Sequence, residues 1–185
     1  MKHGNISLKL FLILGLMIFS SLILSGAAAA TAVNNSTIYV STQGNDSWDG
    51  FAAAYNNTTG YVPKATITNA TGTVTNNGTV YIESGNYTGT GDYNITINNN
   101  ITVTGENQNE TILNGQNLGT LFTINPNITV TFQDLSLLNG NATTIAGAIL
   151  NQGNLSLDDC TFTDNTATSD QDSAGDCGIY NEIIL

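Results

Sequence analysis

A short phrase returns at a constant interval in this chain. Residues 100–103 read Asn-Ile-Thr-Val, residues 127–130 repeat those four residues, and residues 154–157 read Asn-Leu-Ser-Leu. Each start lies 27 residues after the previous one, and residues 94–97 (Asn-Ile-Thr-Ile) are a further copy set closer. A repeat of this length is typical of stacked architectures, in which one unit cannot bury its apolar face alone.

The alternation inside each phrase predicts β-strands. Ile, Val and Leu alternate with Thr or Ser, so the apolar side chains of one phrase point to the same side of a strand. At the offset of 27 the three phrases fall on top of one another, with neighbouring coils about 4.8 Å apart. The same offset matches Leu135 with Phe162 and Phe122 with Ile149. Such stacking is what a parallel β-solenoid requires.

Other features indicate the type of solenoid. Residues 112–115 (Ile-Leu-Asn-Gly) resemble residues 137–140 (Leu-Leu-Asn-Gly) at an offset of 25, so turn lengths vary slightly. A leucine-rich repeat has a different leucine spacing, and a helical repeat needs a periodicity of about 3.6 residues, which is absent after Thr79. We therefore predict an all-β fold, a right-handed parallel β-helix whose coils occupy residues 79–185.

The charge composition excludes several classes of partner. Only 9% of the 185 residues are Asp, Glu, Lys or Arg, where about 25% is usual. The basic residues are Lys2, Lys9 and Lys64. Nucleic acids and anionic membrane surfaces need clusters of Lys and Arg, so we expect neither as a partner. Asn and Gly replace much of the missing charge and suit solenoid turns, whereas a disordered polar segment would lack the regular apolar alternation.

Residues 1–32 read as a secretory signal peptide. A positively charged start precedes an apolar stretch at residues 10–24, and small residues with Ala-x-Ala cleavage patterns follow at 27–32. An uncleaved anchor helix is the alternative, but the apolar core is short for a span of roughly 20 residues. We expect a secreted or cell-surface protein with no membrane insertion after signal cleavage. The single His, His3, leaves with the signal.

Residues 33–78 are expected to hold a strand, a loop and a cap. The strand is predicted at residues 37–41, and a weak helix follows the loop, with Ile67, Ala70 and Val74 on one face. The predicted role of this short helix is to cover the open end of the solenoid. An uncovered first coil would leave unpaired N–H and C=O groups on a flat edge.

Four residues are candidates for metal or redox chemistry. Asp46 and Asp49 could bind calcium, but two carboxylates in an Asn- and Gly-rich loop more often make turn hydrogen bonds. Cys160 and Cys177 are the only cysteines, and two cysteines without a mature His are too few for zinc. In an exported protein they can form one disulfide between adjacent coils, which we favour over two reduced thiols. We expect no metal and no cofactor.

Export gives a possible meaning to the Asn-x-Ser/Thr triplets, the acceptor motif of N-glycosylation. A chain rich in Asn and Thr also produces such triplets by chance, and several lie at strand starts, where a glycan would interfere with stacking. Modification at turn sites depends on the machinery of the host. The triplets of the mature chain begin at Asn34, Asn35, Asn45, Asn56, Asn57, Asn69, Asn77, Asn86, Asn94, Asn100, Asn109, Asn127, Asn141 and Asn154.

Several segments together resemble a known family. Residues 39–50 (Tyr-Val-Ser-x-x-Gly-Asn-Asp-x-x-Asp-Gly), 63–67 (Pro-Lys-Ala-Thr-Ile) and 79–87 (Thr-Val-Tyr-Ile-x-x-Gly-x-Tyr) resemble the start of β-helix proteins of the pectate-lyase-like superfamily. Within it, the sequence is most similar to adhesin-like surface proteins of methanogenic archaea. Residues 147–151 and 162–165 are similar to the Gly-Gly-Ala-Ile and Phe-x-x-Asn repeats of polymorphic outer-membrane adhesins.

The resemblance implies a non-enzymatic adhesin-like module that attaches to glycans or proteins on the surface of other cells. Tyr39, Tyr81 and Tyr87 are candidate sugar contacts or, equally, strand-packing residues. Family members are usually longer, whereas residues 181–185 read as a strand with no polar cap or anchor. We therefore expect a solenoid that is incomplete at its C-terminus or that pairs with a partner. A passive envelope component is a further interpretation.

A carbohydrate-active enzyme is the competing interpretation. β-Elimination needs a basic residue and cations, and only Lys64 remains after signal removal. Hydrolysis needs two carboxylates across the scissile bond. Asp158 and Asp159 are adjacent, so they point to opposite faces of a strand, and Asp134 lies near the equivalent place one coil earlier. A Ser-His-Asp triad is impossible without a mature His. We predict no enzymatic activity and no catalytic residue.

Overall fold

Alternating apolar and hydroxyl residues form short parallel strands along the part of the chain that the structure describes. The computed structural model describes residues 35–54, 62–143, 145–168 and 178–182. The predicted signal peptide, the triplets at Asn34, Asn56 and Asn57, and Cys177 lie outside these residues.

The described residues contain one short helix and a series of strands. In chain order they are β1 (Thr37–Val40), α1 (Ile67–Thr73), β2 (Gly78–Ile82), β3 (Gly85–Tyr87), β4 (Ile95–Ile97), β5 (Ile101–Gly105), β6 (Thr111–Asn114), β7 (Phe122–Ile124), β8 (Thr129–Leu138), β9 (Asn141–Ala142), β10 (Ile149–Asn151), β11 (Asn154–Thr163), β12 (Thr166–Ala167) and β13 (Ile179–Asn181).

The strands stack into three parallel sheets. In the first sheet the order is β1-β2-β5-β8, with β11 on the far side of β8, and β6 and β3 joined to the second half of β8. The second sheet has the order β4-β7-β10-β13, and the third is the pair β9 and β12. Spatial neighbours within a sheet come from successive coils of the chain, which is the arrangement of a parallel β-helix. The predicted fold class is confirmed.

The two longest strands pass a corner of the coil without interruption. Asp134 in β8 and Asp159 in β11 occupy this corner with φ angles of 53° and 46°. Asp tolerates such left-handed angles better than most residues because its short side chain can hydrogen-bond locally. In the preceding coil the same corner is wider, because residues 106–110 lie between β5 and β6.

Inward-facing columns of apolar side chains form the core. In one column Ile38, Val80, Val103 and Phe132 are successive partners in β1, β2, β5 and β8, and all four are fully buried. The rings of Phe122 and Phe132 meet across the core, with their centroids 4.7 Å apart. Burial of one such side chain contributes about 1.5–3 kcal/mol, so the stacked columns hold the coils together.

The predicted register of the recurrent phrases is wrong in the first sheet. Ile101 pairs with Val130 at an offset of 29, and Val130 pairs with Leu155 at an offset of 25. The three phrases therefore do not lie directly on one another, although the mean offset is 27. The cause is the wide corner at residues 106–110, which lengthens one coil and leaves the next unchanged.

The other predicted matches have mixed outcomes. Phe122 pairs with Ile149 at the offset of 27, as predicted, and Ile95 pairs with Phe122 at the same offset. Phe162 pairs with Leu137 and not with Leu135, so that prediction is wrong. A slip of two residues keeps every side chain on the same face, which is why the apolar pattern alone does not detect it.

The two Leu-Asn-Gly segments meet one residue away from the predicted register. Leu113 pairs with Leu137 at an offset of 24, which places both side chains in the core. Relative to the earlier segment, the later one then contains one extra residue, Asn139, which has a φ of 52°. As a result the Asn139 Nδ2 donates to the Asn114 Oδ1 at 3.0 Å, and the asparagines of the two segments do meet.

The predicted helix covers the first coil. Ile67 and Ala70 are fully buried and Val74 is 3% exposed, so the apolar face of α1 packs on β1, β2 and β4. The Thr66 Oγ1 accepts a hydrogen bond from the Asn69 N–H at 3.3 Å and begins the helix. The predicted helix and its apolar face are confirmed.

Two loop segments complete this cap by pairing with the outer edge of β1. The Tyr39 N–H donates to the Gly50 carbonyl oxygen at 2.8 Å. The Lys64 N–H donates to the Tyr39 carbonyl oxygen at 2.8 Å, and the Ser41 N–H donates to the Lys64 carbonyl oxygen at 3.0 Å. Because its main-chain groups are paired, β1 does not present an open strand edge.

Candidate functional site

Hydroxyl side chains form a straight row on the outer face of the first sheet. These positions alternate with buried residues along each strand, so their side chains face outward. The register places each hydroxyl beside the next on the neighbouring strand, about 4.8 Å away. The members of this row, the hydroxyl ladder, are Thr37, Thr79, Thr102, Thr131 and Ser156.

The sequence predicted outward hydroxyls but not which of them share a row. An offset of 27 would place Thr102 beside Thr129 and Thr129 beside Ser156. The register instead places Thr131 between Thr102 and Ser156. Thr129 lies beside Asn154, two residues towards the start of the strands.

A second outward row runs beside the ladder, two residues further along each strand. It begins with Tyr39 and Tyr81, whose ring centroids are 5.6 Å apart with 57° between the ring planes. At the other end the Gln133 Nε2 donates to the Asp158 Oδ2 at 3.3 Å. Burial and the charge of Glu106 raise the pKa of Tyr81, so its hydroxyl stays protonated and can donate a hydrogen bond.

The structure separates the three candidate tyrosines. Tyr39 and Tyr81 are half-buried and lie on the outer face. Tyr87 is 2% exposed and belongs to the core. Its hydroxyl donates to the Glu83 carbonyl oxygen at 2.8 Å and lies 3.3 Å from the Val40 carbonyl oxygen. Tyr87 is therefore a packing residue.

A groove of about 350 Å³ opens at the start of the strands that carry the ladder. The Asn100 Oδ1 accepts a hydrogen bond from the Thr129 N–H at 2.8 Å and fixes one wall. Carboxamide and hydroxyl groups can donate and accept hydrogen bonds without net charge. The groove is lined by Asn77, Asn100, Ile101, Thr102, Thr129 and Thr131.

The outer face carries no positive charge among the described residues. Lys64 is the single basic residue in this part of the chain and is 8% exposed. Its Nζ donates to the carbonyl oxygen of Asp46 at 3.1 Å and to that of Trp48. The lysine therefore ties the cap loop to β1 and is not available to an external ligand.

The candidate hydrolytic carboxylates occupy the corner of the coil. Asp158 is exposed and bonded to Gln133, whereas Asp159 forms the left-handed corner immediately after it. Asp134 takes the same corner position one coil earlier, as the sequence predicted. The left-handed angle gives Asp134 and Asp159 a backbone role. The prediction that the chain is not an enzyme stays a prediction.

The two candidate calcium ligands accept hydrogen bonds from main-chain groups, one within the loop and three from residues further along the chain. The Asp46 Oδ1 accepts from the N–H groups of Ala65 at 3.0 Å and Thr66 at 2.9 Å. The Asp49 Oδ1 accepts from the N–H groups of Phe51 at 3.0 Å and Val62 at 3.3 Å. Both carboxylates thus hold the cap together. Within the described residues, no group of three or more His, Cys, Asp or Glu side chains is arranged to hold a metal ion.

Sequence reasoning missed the most buried carboxylate of the cap. Asp92 is 4% exposed, and its two oxygens accept from the N–H groups of Ile67 at 3.1 Å and Gly89 at 3.0 Å. Burial raises the pKa of Asp92, the two N–H groups partly offset this, and the charge of Asp46 raises it further. A single Asp in a Gly-rich turn gives no signal of such a role.

One candidate cysteine lies in the described residues. Cys160 is half-buried in β11, in register with Leu135, and its Sγ lies 3.4 Å from the Asp158 carbonyl oxygen. Burial raises the pKa of the Cys160 thiol. Because Cys177 lies outside the described residues, the disulfide stays a prediction.

No helix in the described residues is both long enough and apolar enough to cross a membrane. The chain was compared with protein-family models, with curated proteins and with solved structures, and none of the three comparisons found a match. The function is therefore inferred from the structure itself: the parallel β-helix, its cap and its outer hydroxyl face.

Proposed function

We propose that this protein is a non-enzymatic adhesin-like module that attaches to neutral glycans on the surface of other cells. The observation that carries the proposal is the hydroxyl ladder, an uncharged row of side chains repeated coil by coil on one face. Attachment to a protein on the surface of the partner cell is the alternative within the same proposal. The resemblance of residues 39–87 to adhesin-like surface proteins supports this class.

The chemistry of the face suits a sugar chain better than a charged partner. Sugars offer hydroxyl groups that donate and accept, as the ladder and the neighbouring carboxamides do. Each such hydrogen bond contributes about 0.5–1.5 kcal/mol in net terms. The half-buried rings of Tyr39 and Tyr81 add an apolar surface with polar tips at one end of the face.

The charge of the protein favours neutral over anionic glycans. The formal net charge is −11, and Lys64 is buried in the cap. An anionic polysaccharide would meet repulsion from the acidic residues without any compensating cation. Attachment through uncharged groups is also expected to survive moderate salt, because screening weakens only charged contacts.

Individual contacts of this kind are weak, so the expected mode of action is multivalent. A cell surface presents many glycan chains, and several copies of the module on the opposing surface convert weak contacts into firm attachment. The predicted signal peptide in residues 1–32 would deliver the module to the cell surface or the medium.

The test measures binding of the mature chain to whole partner cells and to immobilised neutral and anionic polysaccharides at two salt concentrations. The double variant Thr102→Val and Thr131→Val keeps the side-chain shape but removes two ladder hydroxyls. We expect a loss of affinity of about 10- to 100-fold from two hydrogen bonds. The control is Thr123→Val, an outward position of the second sheet, which should bind like the wild type.

Three outcomes would overturn the proposal. Equal loss in the Thr123→Val control would show that the ladder is not the binding face. If the chain bound no cell and no polysaccharide, the interpretation that would remain is a passive envelope component. Release of reducing ends from a polysaccharide, abolished by Asp158→Ala or Asp159→Ala, would make the chain a hydrolase.

A further inference from the structure

The recurrent phrase contains a glycosylation triplet whose copies have the same sequence but different surroundings. Residues 94–96, 100–102 and 127–129 all read Asn-Ile-Thr, and residues 154–156 read Asn-Leu-Ser. The enzyme that modifies such triplets acts on the Asn carboxamide nitrogen and reads the hydroxyl two residues later. On a folded chain both groups have to reach that enzyme, so identical triplets are distinguished by structure alone.

The triplet that begins at Asn100 is closed, which here means that its carboxamide and its hydroxyl are not both accessible to an enzyme. Asn100 is half-buried, and its Oδ1 accepts a hydrogen bond from the Thr129 N–H at 2.8 Å. Ile101 is 4% exposed and lies within the first sheet. Thr102, which carries the hydroxyl, is a half-buried central member of the ladder. This carboxamide cannot turn towards an enzyme without breaking its contact to β8.

The triplet that begins at Asn94 is closed in a different way. Asn94 and Thr96 are exposed, but Ile95 between them is 1% exposed and is fixed in β4. The carboxamide lies against Gly119, where an added Cβ would be 2.3 Å from the Asn94 Oδ1. The Asn94 side chain therefore packs closely against its neighbour in the next coil.

The triplets that begin at Asn127 and Asn154 are open. Both asparagines are exposed, and so are the hydroxyl-bearing residues Thr129 and Ser156. Within the described residues, none of these four side chains makes a hydrogen bond. The middle residue of each triplet is half-buried, in contrast to Ile95.

Each of the other triplets in the described residues either makes a side-chain hydrogen bond or contains a buried residue. The hydroxyl of Thr111, in the Asn109 triplet, is fully buried. The Ser47 Oγ donates to the Oδ1 of Asn45, the asparagine of its own triplet, at 2.7 Å. The remaining asparagines either donate their carboxamide nitrogen to the fold or precede a buried residue: Asn35, Asn69, Asn77, Asn86 and Asn141.

We propose that Asn127 and Asn154 are the N-glycosylation sites of the folded protein. The co-reactant is an oligosaccharide linked to a lipid through a diphosphate, and the catalyst is an oligosaccharyltransferase. The carboxamide nitrogen attacks the anomeric carbon, so a C–N bond forms as the C–O bond to the diphosphate breaks. The lipid diphosphate leaves with the bonding electron pair, and the amide proton passes to the enzyme.

The experiment incubates the folded mature chain with a purified oligosaccharyltransferase and its lipid-linked donor. The intact mass and the glycopeptides are then measured. We expect up to two glycans, located on Asn127 and Asn154. The variants Thr129→Ala and Ser156→Ala each remove one exposed hydroxyl and should each remove one glycan. Their far-ultraviolet circular dichroism and unfolding midpoints should stay close to those of the wild type.

The matched control lies within the chain, because residues 100–103 and 127–130 have the same sequence. In the urea-unfolded, diluted chain and in synthetic peptides, Asn100 and Asn127 should be modified to the same extent. In the folded chain we expect at least a tenfold preference for Asn127. Equal modification of the two in the folded chain would overturn the proposal, and so would a folded chain that stays unmodified when the peptides are modified.

Discussion

At the scale of single residues, the cap contains a carboxylate whose surroundings oppose its charge. Asp92 is 4% exposed and is met by two main-chain N–H groups and the nearby carboxylate of Asp46. Burial raises the pKa of Asp92 above its ordinary value of 3.8. The folded protein therefore binds this proton more tightly than the unfolded chain does, and protonation of Asp92 favours folding.

We predict that Asp92 contributes more stability in acid than at neutral pH. Its contribution is fully present below the unfolded pKa near 3.8 and is lost as the pH rises through the higher folded pKa. Urea unfolding of the wild type and Asp92→Asn should be measured between pH 3 and 7. The free energy of unfolding of the wild type, minus that of the variant, should fall as the pH rises.

Glu106 is the matched control, because its pKa is shifted in the opposite direction to that of Asp92. Hydrogen bonding from the Ser84 N–H, at 2.9 Å from the Glu106 Oε2, lowers the pKa of this carboxylate. Its contribution should be present above the unfolded pKa and disappear as the pH falls through the folded pKa. The free energy of unfolding of the wild type, minus that of Glu106→Gln, should therefore rise with pH. Slopes of the same sign for both residues would contradict this account of Asp92.

At the scale of elements, the left-handed corner within β8 and β11 accounts for the recurrence of an acidic residue at this position. Asp134 and Asp159 have left-handed φ angles, and each lets a ten-residue strand continue around the corner. Strands β5 and β6 achieve the same change of direction with residues 106–110. The acidic residue at this point of β8 and β11 thus allows the backbone to adopt the left-handed angle that the corner requires.

We predict that Asp134→Val destabilises the protein by about 1–2 kcal/mol, because a β-branched residue fits a left-handed angle poorly. Asp134→Gly should change the free energy of unfolding much less, since Gly adopts this angle without a steric penalty. Gln133→Val, on the outer face of the same strand, is the control for adding a Val. Urea unfolding decides the matter, and equal effects of Val and Gly at position 134 would contradict a backbone role.

The elements could be predicted from the sequence more completely than their register. Strands and the capping helix follow local patterns of burial, and Ile67, Ala70 and Val74 lie where those patterns place them. The register of the first sheet depends on residues 106–110, whose polar sequence does not tell how many residues a corner takes up. The members of the ladder and the open triplets follow from that register, so neither could be read from the period of 27.

At the scale of the whole described molecule, stability comes from contacts between neighbouring coils, as expected of a solenoid. One inward column runs through Ile38, Val80, Val103, Phe132 and Leu157. The first four side chains are fully buried, whereas Leu157 is 39% exposed. Each inner member has apolar neighbours on both sides along the axis. The same substitution should therefore cost very different amounts at the two positions.

We predict that Phe132→Ala lowers the free energy of unfolding by about 3–5 kcal/mol, because it leaves a cavity between coils and removes the ring contact with Phe122. Leu157→Ala, one coil further along the same column, should cost about 1 kcal/mol or less, since much of its side chain already meets water. Urea unfolding of both variants provides the measurement. Comparable losses would mean that Leu157 is covered in solution by a partner surface, and the oligomeric state at the same protein concentration would then identify a second copy as that partner.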